Sequence, residues 1–215
     1  PKPMAPVGGR PFLECLLDFW VGQGVSRVVL SVGYMRDVIK SHFGSSYRDC
    51  SIKYADEEAP LGTGGAVLNC LPCLNPDQPT LVLNGDTFFA VQMNRLIEFH
   101  ESHAAAVTLS LFESTDTSRY SGVTLSSDGR ILEFSGSANA SSMCKVNGGV
   151  FVFSAATLAK LRLLPIRTCS LESDLISQLI INGERVCGFV SPAPFIDIGT
   201  PGDYSRAPEV LAPNL

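Results

Sequence analysis

Two aspartates stand where an open parallel sheet would place a ligand. Asp86 follows Thr80-Leu81-Val82-Leu83-Asn84, whose apolar residues predict a buried strand, and Asp197 lies between apolar neighbours in Phe195-Ile196-Asp197-Ile198-Gly199. Ligands of such sheets bind beyond the carboxyl ends of the strands, and a carboxylate among apolar neighbours is costly to bury unless it is paired. Carboxylate oxygens suit Mg²⁺, which bridges phosphates. Asp86 could instead cap a turn, and Asp197 could accept backbone hydrogen bonds.

A glycine-rich turn could bring backbone amides against a ligand. Leu61-Gly62-Thr63-Gly64-Gly65 opens a segment with helical periodicity and follows Glu57-Glu58. Glycines at the start of a helix let amides approach a planar base or a phosphate. The turn has neither the lysine of a P-loop nor the G-x-G-x-x-G spacing of a dinucleotide fold, so its ligand stays open at this point.

Two polar segments of the second half suit a polyhydroxyl ligand. Asn147-Gly148-Gly149 and Glu172-Ser173-Asp174 supply amide and carboxylate groups that can make several hydrogen bonds. The first segment could equally be a β-bulge, and the second could be acidic residues in the first turn of a helix.

The first residues of the chain hold a lysine on a stiff backbone. Lys2 lies between Pro1 and Pro3, and each proline restricts its own φ and its neighbour. Such a lysine suits a cation that must reach a fixed anion, although a surface loop would explain it as well.

The elements that must position these residues alternate between helix and strand through the first half. Helical spacing of apolar residues begins at Phe12, and residues 28–32 are typical of a buried strand. This alternation predicts parallel strands with helices on both faces. From about Gly122 the pattern changes, because Ser127-Asp128-Gly129 is a turn signal between strands. We predict one α/β domain over residues 1–215, with a mostly parallel, doubly wound sheet and an antiparallel extension.

Composition limits the class of protein. Of the 215 residues, 45% are hydrophobic and 17% charged, which is typical of a well-buried interior. A net charge of −5 gives no general attraction to nucleic acid or anionic membrane. No apolar run reaches the roughly 18 residues of a membrane span, and no secretory signal is recognisable, so we expect a cytoplasmic protein. Cys70 and Cys73 lack a second pair for zinc, and we expect free thiols.

Taken in order, these segments resemble the sugar-phosphate nucleotidyltransferases, and most of all the bacterial guanylyltransferases acting on D-glycero-α-D-manno-heptose 1-phosphate. Six segments across nearly the whole chain carry the resemblance: PKPMAPVGGRPFLE, PLGTGGA, LVLNGDTFF, VNGGVFVF, SLESDL and FIDIGTPGDY. It implies a Rossmann-like nucleotidyltransferase fold and Mg²⁺-dependent condensation of a nucleoside triphosphate, GTP by preference, with a sugar 1-phosphate. Pyrophosphate would be released, and the GDP-heptose product would serve capsule or cell-surface polysaccharide synthesis.

The resemblance also implies roles for individual residues. Lys2, Asp86 and Asp197 would be catalytic, with the two aspartates holding Mg²⁺ and Lys2 contacting phosphate oxygens. The other expected contacts form two groups. The nucleotide would meet Lys2, Glu58, Leu61, Gly62, Thr63, Gly65, Asn84 and Gly85. The sugar would meet Asn147, Gly148, Glu172, Asp174 and Lys145.

Two features differ from the family pattern. The family begins with a strand and a G-G-x-G-T-R-L loop that grips the triphosphate, and neither occurs in these 215 residues. We therefore expect a central strand immediately upstream of Pro1. After the strand ending at Phe134 the family often has a Glu-Lys pair whose lysine reaches the sugar phosphate. This chain has Ser135-Gly136-Ser137 there, and Lys145 could take that role.

Several alternatives stay open. The chain could be a non-catalytic regulatory or sugar-nucleotide-binding relative, or an enzyme for another hexose 1-phosphate such as mannose or glucose 1-phosphate. A glycosyltransferase with a D-x-D metal site is disfavoured, because Asn84 stands where the first aspartate would be. A soluble sheet of this size could also form a homodimer.

Overall fold

The first half of the chain forms a hairpin and a three-stranded sheet packed against helices. The computed structural model describes residues 1–116, 122–135 and 143–214, so the loop predicted over residues 135–142 lies, apart from Ser135, outside the described residues. The elements of this half are β1 (Pro6–Val7), β2 (Arg10–Pro11), α1 (Phe12–Gly22), β3 (Arg27–Val32), α2 (Arg36–Phe43), β4 (Ser46–Tyr47), β5 (Cys50–Asp56) and α3 (Gly62–Cys70). β3 and β5 are parallel, and β4 pairs antiparallel with the other edge of β5.

A six-stranded sheet forms the centre of the rest of the molecule. The elements are β6 (Thr80–Leu83), β7 (Thr87–Phe89), α4 (Met93–Ser102), β8 (Val107–Ser114), β9 (Gly122–Leu125), β10 (Ile131–Ser135), β11 (Cys144–Phe153), α5 (Ala155–Leu161), a π-helical turn (Leu171–Ile176), α6 (Ser177–Ile181), β12 (Val186–Val190), β13 (Phe195–Asp197) and α7 (Pro201–Leu211). β8 pairs antiparallel with β11 and parallel with β12, and β7 forms a separate antiparallel pair with β13.

The change of pattern predicted near Gly122 is confirmed by the strand pairing. β9, β10 and β11 are all joined by antiparallel ladders. β11 also pairs antiparallel with β6, so it lies between β6 and β8, which run in the same direction. The alternation of helices and strands does not reveal the position of β11 between β6 and β8, because that position depends on long-range pairing. The position matters for function because β11 carries Asn147 and Gly148 to the end of β6.

The hydrophobic core explains why these elements form. The apolar residues at helical spacing in α1, including Phe12, Leu16 and Trp20, are buried as the sequence predicts. β7 is flanked by two clusters, because Phe88 packs with α1 and α7 while Phe89 packs with α4 and β11. The strand that follows Asp86 is therefore held on both faces, which fixes the backbone on which that aspartate lies.

A buried ion cluster ties the beginning of the chain to α1. The carboxylate of Asp18 is nearly inaccessible and accepts hydrogen bonds from Arg10 of β2 and, at 2.9 Å, from the Tyr47 hydroxyl. Arg48 lies 2.8 Å from the same carboxylate. A buried carboxylate needs such partners. The cluster anchors the hairpin that follows Lys2, and so limits where Lys2 can lie.

Candidate active site

Lys2, Asp86 and Asp197 meet at the carboxyl end of β6. Lys2 Nζ lies 3.5 Å from Asp86 Oδ2, and both side chains are partly exposed. The backbone amide of Ile198 donates to the Asp86 carbonyl at 3.1 Å, while Asp197 lies opposite Thr87 in the β7–β13 ladder. The structure therefore brings together the three residues predicted to be catalytic, although 111 positions separate the two aspartates in the sequence.

The segment between β6 and β7 packs tightly against the residues around it. A Cβ at Gly85 would lie 3.4 Å from the ring of Pro3, so the first residues of the chain pass directly over this turn. The backbone amide of Asn84 donates to the Gly149 carbonyl at 2.9 Å. Gly149 has φ +74°, and a Cβ there would lie 2.6 Å from Thr87 Oγ1. The nucleotide-site candidates Asn84 and Gly85 are thus joined to β11, which carries the sugar-site candidates.

Asn147 and Glu172 form a locked pair next to this turn. Asn147 donates through Nδ2 to Glu172 Oε1, and its Oδ1 accepts the Gly149 amide at 3.0 Å. Both polar ends of the asparagine are therefore fixed. Glu172 lies in the π-helical turn, a geometry that is frequent at functional sites. Gly148 lies against the Phe89 ring, since a Cβ there would come within 2.3 Å of a ring carbon. The sequence offered Asn147 and Glu172 as sugar-site candidates, but only the fold shows the hydrogen bond between them.

Asp174 and Lys145 have different surroundings. Asp174 Oδ2 accepts the Ser170 amide at 2.7 Å, so this carboxylate stabilises the start of the π-helical turn that carries Glu172. Lys145 lies on β11 two residues before Asn147, at a position paired with both β8 and β9. Gly136 and Ser137, where the family often has its Glu-Lys pair, lie outside the described residues.

The glycine-rich turn packs against the segment that leads to Glu172. A Cβ at Gly65 would lie 2.3 Å from the Arg167 carbonyl oxygen, and one at Gly64 would lie 2.7 Å from the Ser170 carbonyl oxygen. Thr63 Oγ1 accepts the Leu171 amide at 2.9 Å. These two glycines are therefore required for close backbone packing. Leu61 is partly exposed, and Gly62, with φ +71°, and Thr63 are exposed, so these three residues of the turn have surface for a ligand.

The two glutamates before this turn have separate roles. Glu57 accepts the Ser31 hydroxyl at 2.7 Å and the Leu61 amide at 3.1 Å, so both of its oxygens hold the turn in place. Glu58 is exposed and pairs with Arg36 at 3.1 Å. Of the two, Glu58 has a free surface for a nucleotide. The structural role of Glu57 was missed in the sequence, because its serine partner lies 26 residues away.

Asp86 and Asp197 have the chemistry that a magnesium ion requires. In the described part of the chain, no three or more His, Cys, Asp or Glu side chains form a metal-holding group. Mg²⁺ does not need one, since it keeps several waters and binds through one or two carboxylates plus substrate phosphates. The partly exposed carboxylate of Asp86 and the neighbouring Asp197 fit that arrangement.

Two further features are the reactivity of the cysteine thiols and the length of the helices. Burial raises the pKa of the Cys70 thiol to about 11, so this half of the C-x-x-C segment is a protonated thiol at neutral pH. All seven cysteines are free thiols, and four of them, Cys15, Cys50, Cys169 and Cys187, are buried. Among the helices in the described ranges, none combines the length and apolar character needed to cross a membrane.

The chain belongs to the nucleotidyl transferase family, whose pattern matches residues 1–212. It is 35% identical to the D-glycero-alpha-D-manno-heptose 1-phosphate guanylyltransferase of Aneurinibacillus thermoaerophilus, over 98% of this chain and 89% of that protein. The Campylobacter jejuni protein of the same name is 33% identical over 95% of this chain and 87% of its own length. The predicted family resemblance is therefore confirmed.

A solved structure supports the same assignment. The crystal structure of HddC from Yersinia pseudotuberculosis matches 97% of this chain and 89% of its own, with a TM-score of 0.84 and 29% identity. A second crystal structure of HddC is a complex with GMP-PN, and it matches equally well. The predicted nucleotidyltransferase fold, with its antiparallel extension, is confirmed by this match and by the strand pairing.

Proposed function

We propose that the protein condenses GTP with a sugar 1-phosphate of manno configuration, D-glycero-α-D-manno-heptose 1-phosphate in the first place, to give a GDP-sugar and pyrophosphate. The observation that carries the proposal is the meeting of two clusters at the end of β6. Lys2, Asp86 and Asp197 supply charge, while Asn147 and Glu172 supply hydrogen bonds. The names of the relatives supply the guanine base and the heptose sugar.

The proposed reaction needs charge neutralisation more than proton transfer. A phosphate oxygen of the sugar 1-phosphate attacks the α-phosphorus, a new P–O bond forms, and the bond to the β-phosphate breaks. The attacking oxygen is already ionised, so no side chain has to remove a proton. Both substrates are polyanions, and positioned cations therefore supply most of the stabilisation. Lys2 is a side chain of this site that offers a positive charge to the triphosphate.

Asp86 and Asp197 would hold Mg²⁺, which neutralises phosphate charge and orients the triphosphate when it is bound. Lys2 pairs with Asp86 in the structure at 3.5 Å, in a contact exposed enough to contribute little stability. The lysine is therefore available to turn from the carboxylate to a phosphate. Asp197 lies on the neighbouring strand, where it accepts the Gly199 amide through Oδ1 at 2.7 Å.

The two ends of the substrate pair would bind to different segments. The base would lie along Gly62 and Leu61 with Glu58 at its edge, and the neighbouring Thr63 and Gly65 would keep that turn in position. The sugar hydroxyls would bind to Glu172 and Asn147 beside Gly148. Asp174 would act by supporting the turn that carries Glu172, and Lys145 would reach towards the sugar phosphate.

The cellular setting of this reaction is part of the proposal. GTP and Mg²⁺ are cytoplasmic reagents, and the product would serve the assembly of capsule or cell-surface polysaccharide. A homodimer is the proposed assembly.

Pyrophosphate release tests the proposal. The natural full-length protein is incubated with Mg²⁺, each of the four nucleoside triphosphates, and heptose, mannose or glucose 1-phosphate in turn. We expect release with GTP and a manno-configured sugar phosphate, and much slower release with ATP, CTP or UTP. Turnover with a different base would correct the nucleotide, and turnover with glucose 1-phosphate alone would correct the sugar. Binding of GDP-sugar without any release would instead support the non-catalytic alternative.

A further inference from the structure

The hydroxyl group of Thr87, the first residue of β7, is buried without a hydrogen-bond partner. Within the described residues its Oγ1 neither donates to nor accepts from another atom, and it is closed off from solvent. Buried polar groups are nearly always paired, because an unpaired one has lost its hydrogen bonds to water. Valine has nearly the same shape and packs as well in a strand, so the fold by itself does not require this hydroxyl.

The register of the β7–β13 pair places the Thr87 hydroxyl beside Asp197. Next to these two residues, the backbone amide of Ile198 donates to the Asp86 carbonyl at 3.1 Å. Hydrogen-bonded and non-hydrogen-bonded pairs alternate along an antiparallel ladder, so Thr87 and Asp197, which lie opposite each other, form a non-hydrogen-bonded pair. In such a pair the Cα atoms are only about 4.5 Å apart, and the two side chains lie side by side on the same face.

The strand β11 closes another side of the hydroxyl. A Cβ at Gly149 would lie 2.6 Å from Thr87 Oγ1, so the backbone of β11 passes close to this atom. Asn84 Nδ2 lies 2.8 Å from the same Cβ position, yet it makes no hydrogen bond to Thr87. Because the hydroxyl is enclosed in this way, a substrate cannot reach it. The partner that it can acquire is therefore a neighbouring side chain.

The carboxylate of Asp197 is the neighbouring group that can best use a donated hydrogen bond. Its Oδ1 accepts the Gly199 amide at 2.7 Å, in a turn that the residue makes with its own chain. The two oxygens of a carboxylate together offer about four acceptor sites, so this turn does not exhaust them. Carboxylates that hold a metal are themselves oriented by hydrogen bonds from the residues around them. Thr87 lies where such a donor is needed.

We propose that Thr87 is a positioning residue, whose hydroxyl donates a hydrogen bond to the Asp197 carboxylate when that carboxylate turns to hold a divalent cation. In the structure the carboxylate is bonded to the Gly199 amide and the hydroxyl is unpaired. Cation binding therefore gains a hydrogen bond that folding alone does not make, and this bond fixes the orientation of the carboxylate. The inference rests on the metal-binding role of Asp197 in the proposed function.

Ser110 of β8 supplies a matched comparison. Its side chain is completely buried, and within the described residues its hydroxyl is unpaired as well. Its neighbour in the parallel β8–β12 register is the apolar Phe189. Removing either hydroxyl relieves an unpaired buried group, whereas the Thr87 hydroxyl also lies beside a proposed metal ligand.

The test measures metal affinity without turnover. Mn²⁺, a paramagnetic substitute for Mg²⁺, is titrated into the natural full-length protein saturated with GTP, with no sugar 1-phosphate present. Electron paramagnetic resonance follows the bound Mn²⁺, and GTP alone gives the reference. We expect Thr87→Val to raise the Kd for Mn²⁺ about tenfold, as is usual when a metal ligand loses a supporting hydrogen bond. Thr87→Ser, which keeps the hydroxyl, and Ser110→Ala should both bind Mn²⁺ as tightly as the natural protein.

Urea unfolding without metal separates this role from a structural one. Thr87→Val and Ser110→Ala should each keep or raise the unfolding midpoint, because each removes an unpaired buried group. A lower midpoint for Thr87→Val would show that the hydroxyl has a structural partner, and would overturn the proposal. Equal Mn²⁺ affinity of Thr87→Val and the natural protein would overturn it too, and would leave the proposed function intact. If the natural protein added nothing to the Mn²⁺ binding of GTP alone, both proposals would be contradicted.

Discussion

The two ends of the candidate site are built differently. At the proposed sugar end, Asn147, Glu172 and Gly149 are linked by hydrogen bonds, and Gly148 lies against a buried ring. At the proposed phosphate end, the link between Lys2 and Asp86 is one partly exposed contact of 3.5 Å. A preorganised set of hydrogen bonds suits the recognition of a neutral polyhydroxyl ligand. A loosely held pair of opposite charges suits a site whose contacts change when a cation and a triphosphate arrive.

We propose on the basis of this difference that the two ends have separate tasks. Changes at the phosphate end should lower the rate, because charge stabilisation there is greatest in the transition state. Changes at the sugar end should mainly weaken substrate binding or the fold. If changes at the two ends had the same effect on rate and on substrate binding, this division of tasks would be wrong.

The largest effect is expected from Asp86→Asn and Asp197→Asn. Each removes a carboxylate charge without changing shape, and metal-dependent charge stabilisation contributes several kcal/mol. We expect kcat for pyrophosphate release to fall at least a hundredfold, which corresponds to about 2.7 kcal/mol. Urea unfolding should change little, since both side chains lie at a solvent-facing edge. The exposed Asp37 of α2 provides the control, as Asp37→Asn should keep normal turnover. Near-normal rates in both test variants would remove the metal assignment.

The next effect is expected from Glu172→Gln, which keeps an oxygen for Asn147 but loses the charge. A hydrogen bond to a charged group is worth about 1.5–3 kcal/mol. We expect KM for the sugar 1-phosphate to rise roughly tenfold to a hundredfold, with KM for GTP unchanged. Steady-state kinetics with each substrate varied in turn measure this split. The exposed Glu133 of β10 gives the control variant Glu133→Gln. An equal rise in both KM values would contradict a sugar-specific role.

A smaller effect on stability is expected from Gly148→Ala. The added methyl would lie 2.3 Å from a ring carbon of the buried Phe89, and overpacking of this kind costs roughly 1–3 kcal/mol. Denaturant unfolding should register the loss. Gly22→Ala is the matched control, because its Cβ meets nothing within 4 Å at the end of α1. That variant should be neutral or slightly stabilising. Equal stability of the two variants would show that Phe89 can move freely.

The smallest effect concerns the scaffold near the start of β8. Burial lowers the pKa of His100, which contacts Thr108 of β8 at 2.9 Å. The unfolded chain therefore binds more protons than the folded protein below about pH 6.5. The free energy of unfolding should fall as the pH is lowered through 6.5 towards the folded pKa, and should be independent of this group above pH 7. His100→Gln should flatten that part of the stability profile. An unchanged profile would contradict the assignment to His100.

The sequence indicated which residues to propose for the site, but it did not indicate how they are connected. Asp86 and Asp197 could be proposed because each follows or ends an apolar strand, a local signal. The antiparallel pairing of β11 with β6 could not be predicted, because pairing between residues about 70 positions apart leaves no local pattern. For the same reason Glu57 and Asp18 were missed as structural carboxylates, since their partners come from other elements. The sequence also did not show that Gly64 and Gly65 are packing residues.

We propose that the protein is a Mg²⁺-dependent guanylyltransferase for a manno-configured sugar 1-phosphate. The most direct measurement is the rate of pyrophosphate release by the natural full-length protein from GTP and D-glycero-α-D-manno-heptose 1-phosphate, with and without Mg²⁺. We predict turnover with Mg²⁺ that is lost when the metal is chelated, and that exceeds the rate with each other nucleoside triphosphate. No release with any nucleotide and any of the three sugar phosphates would contradict the account.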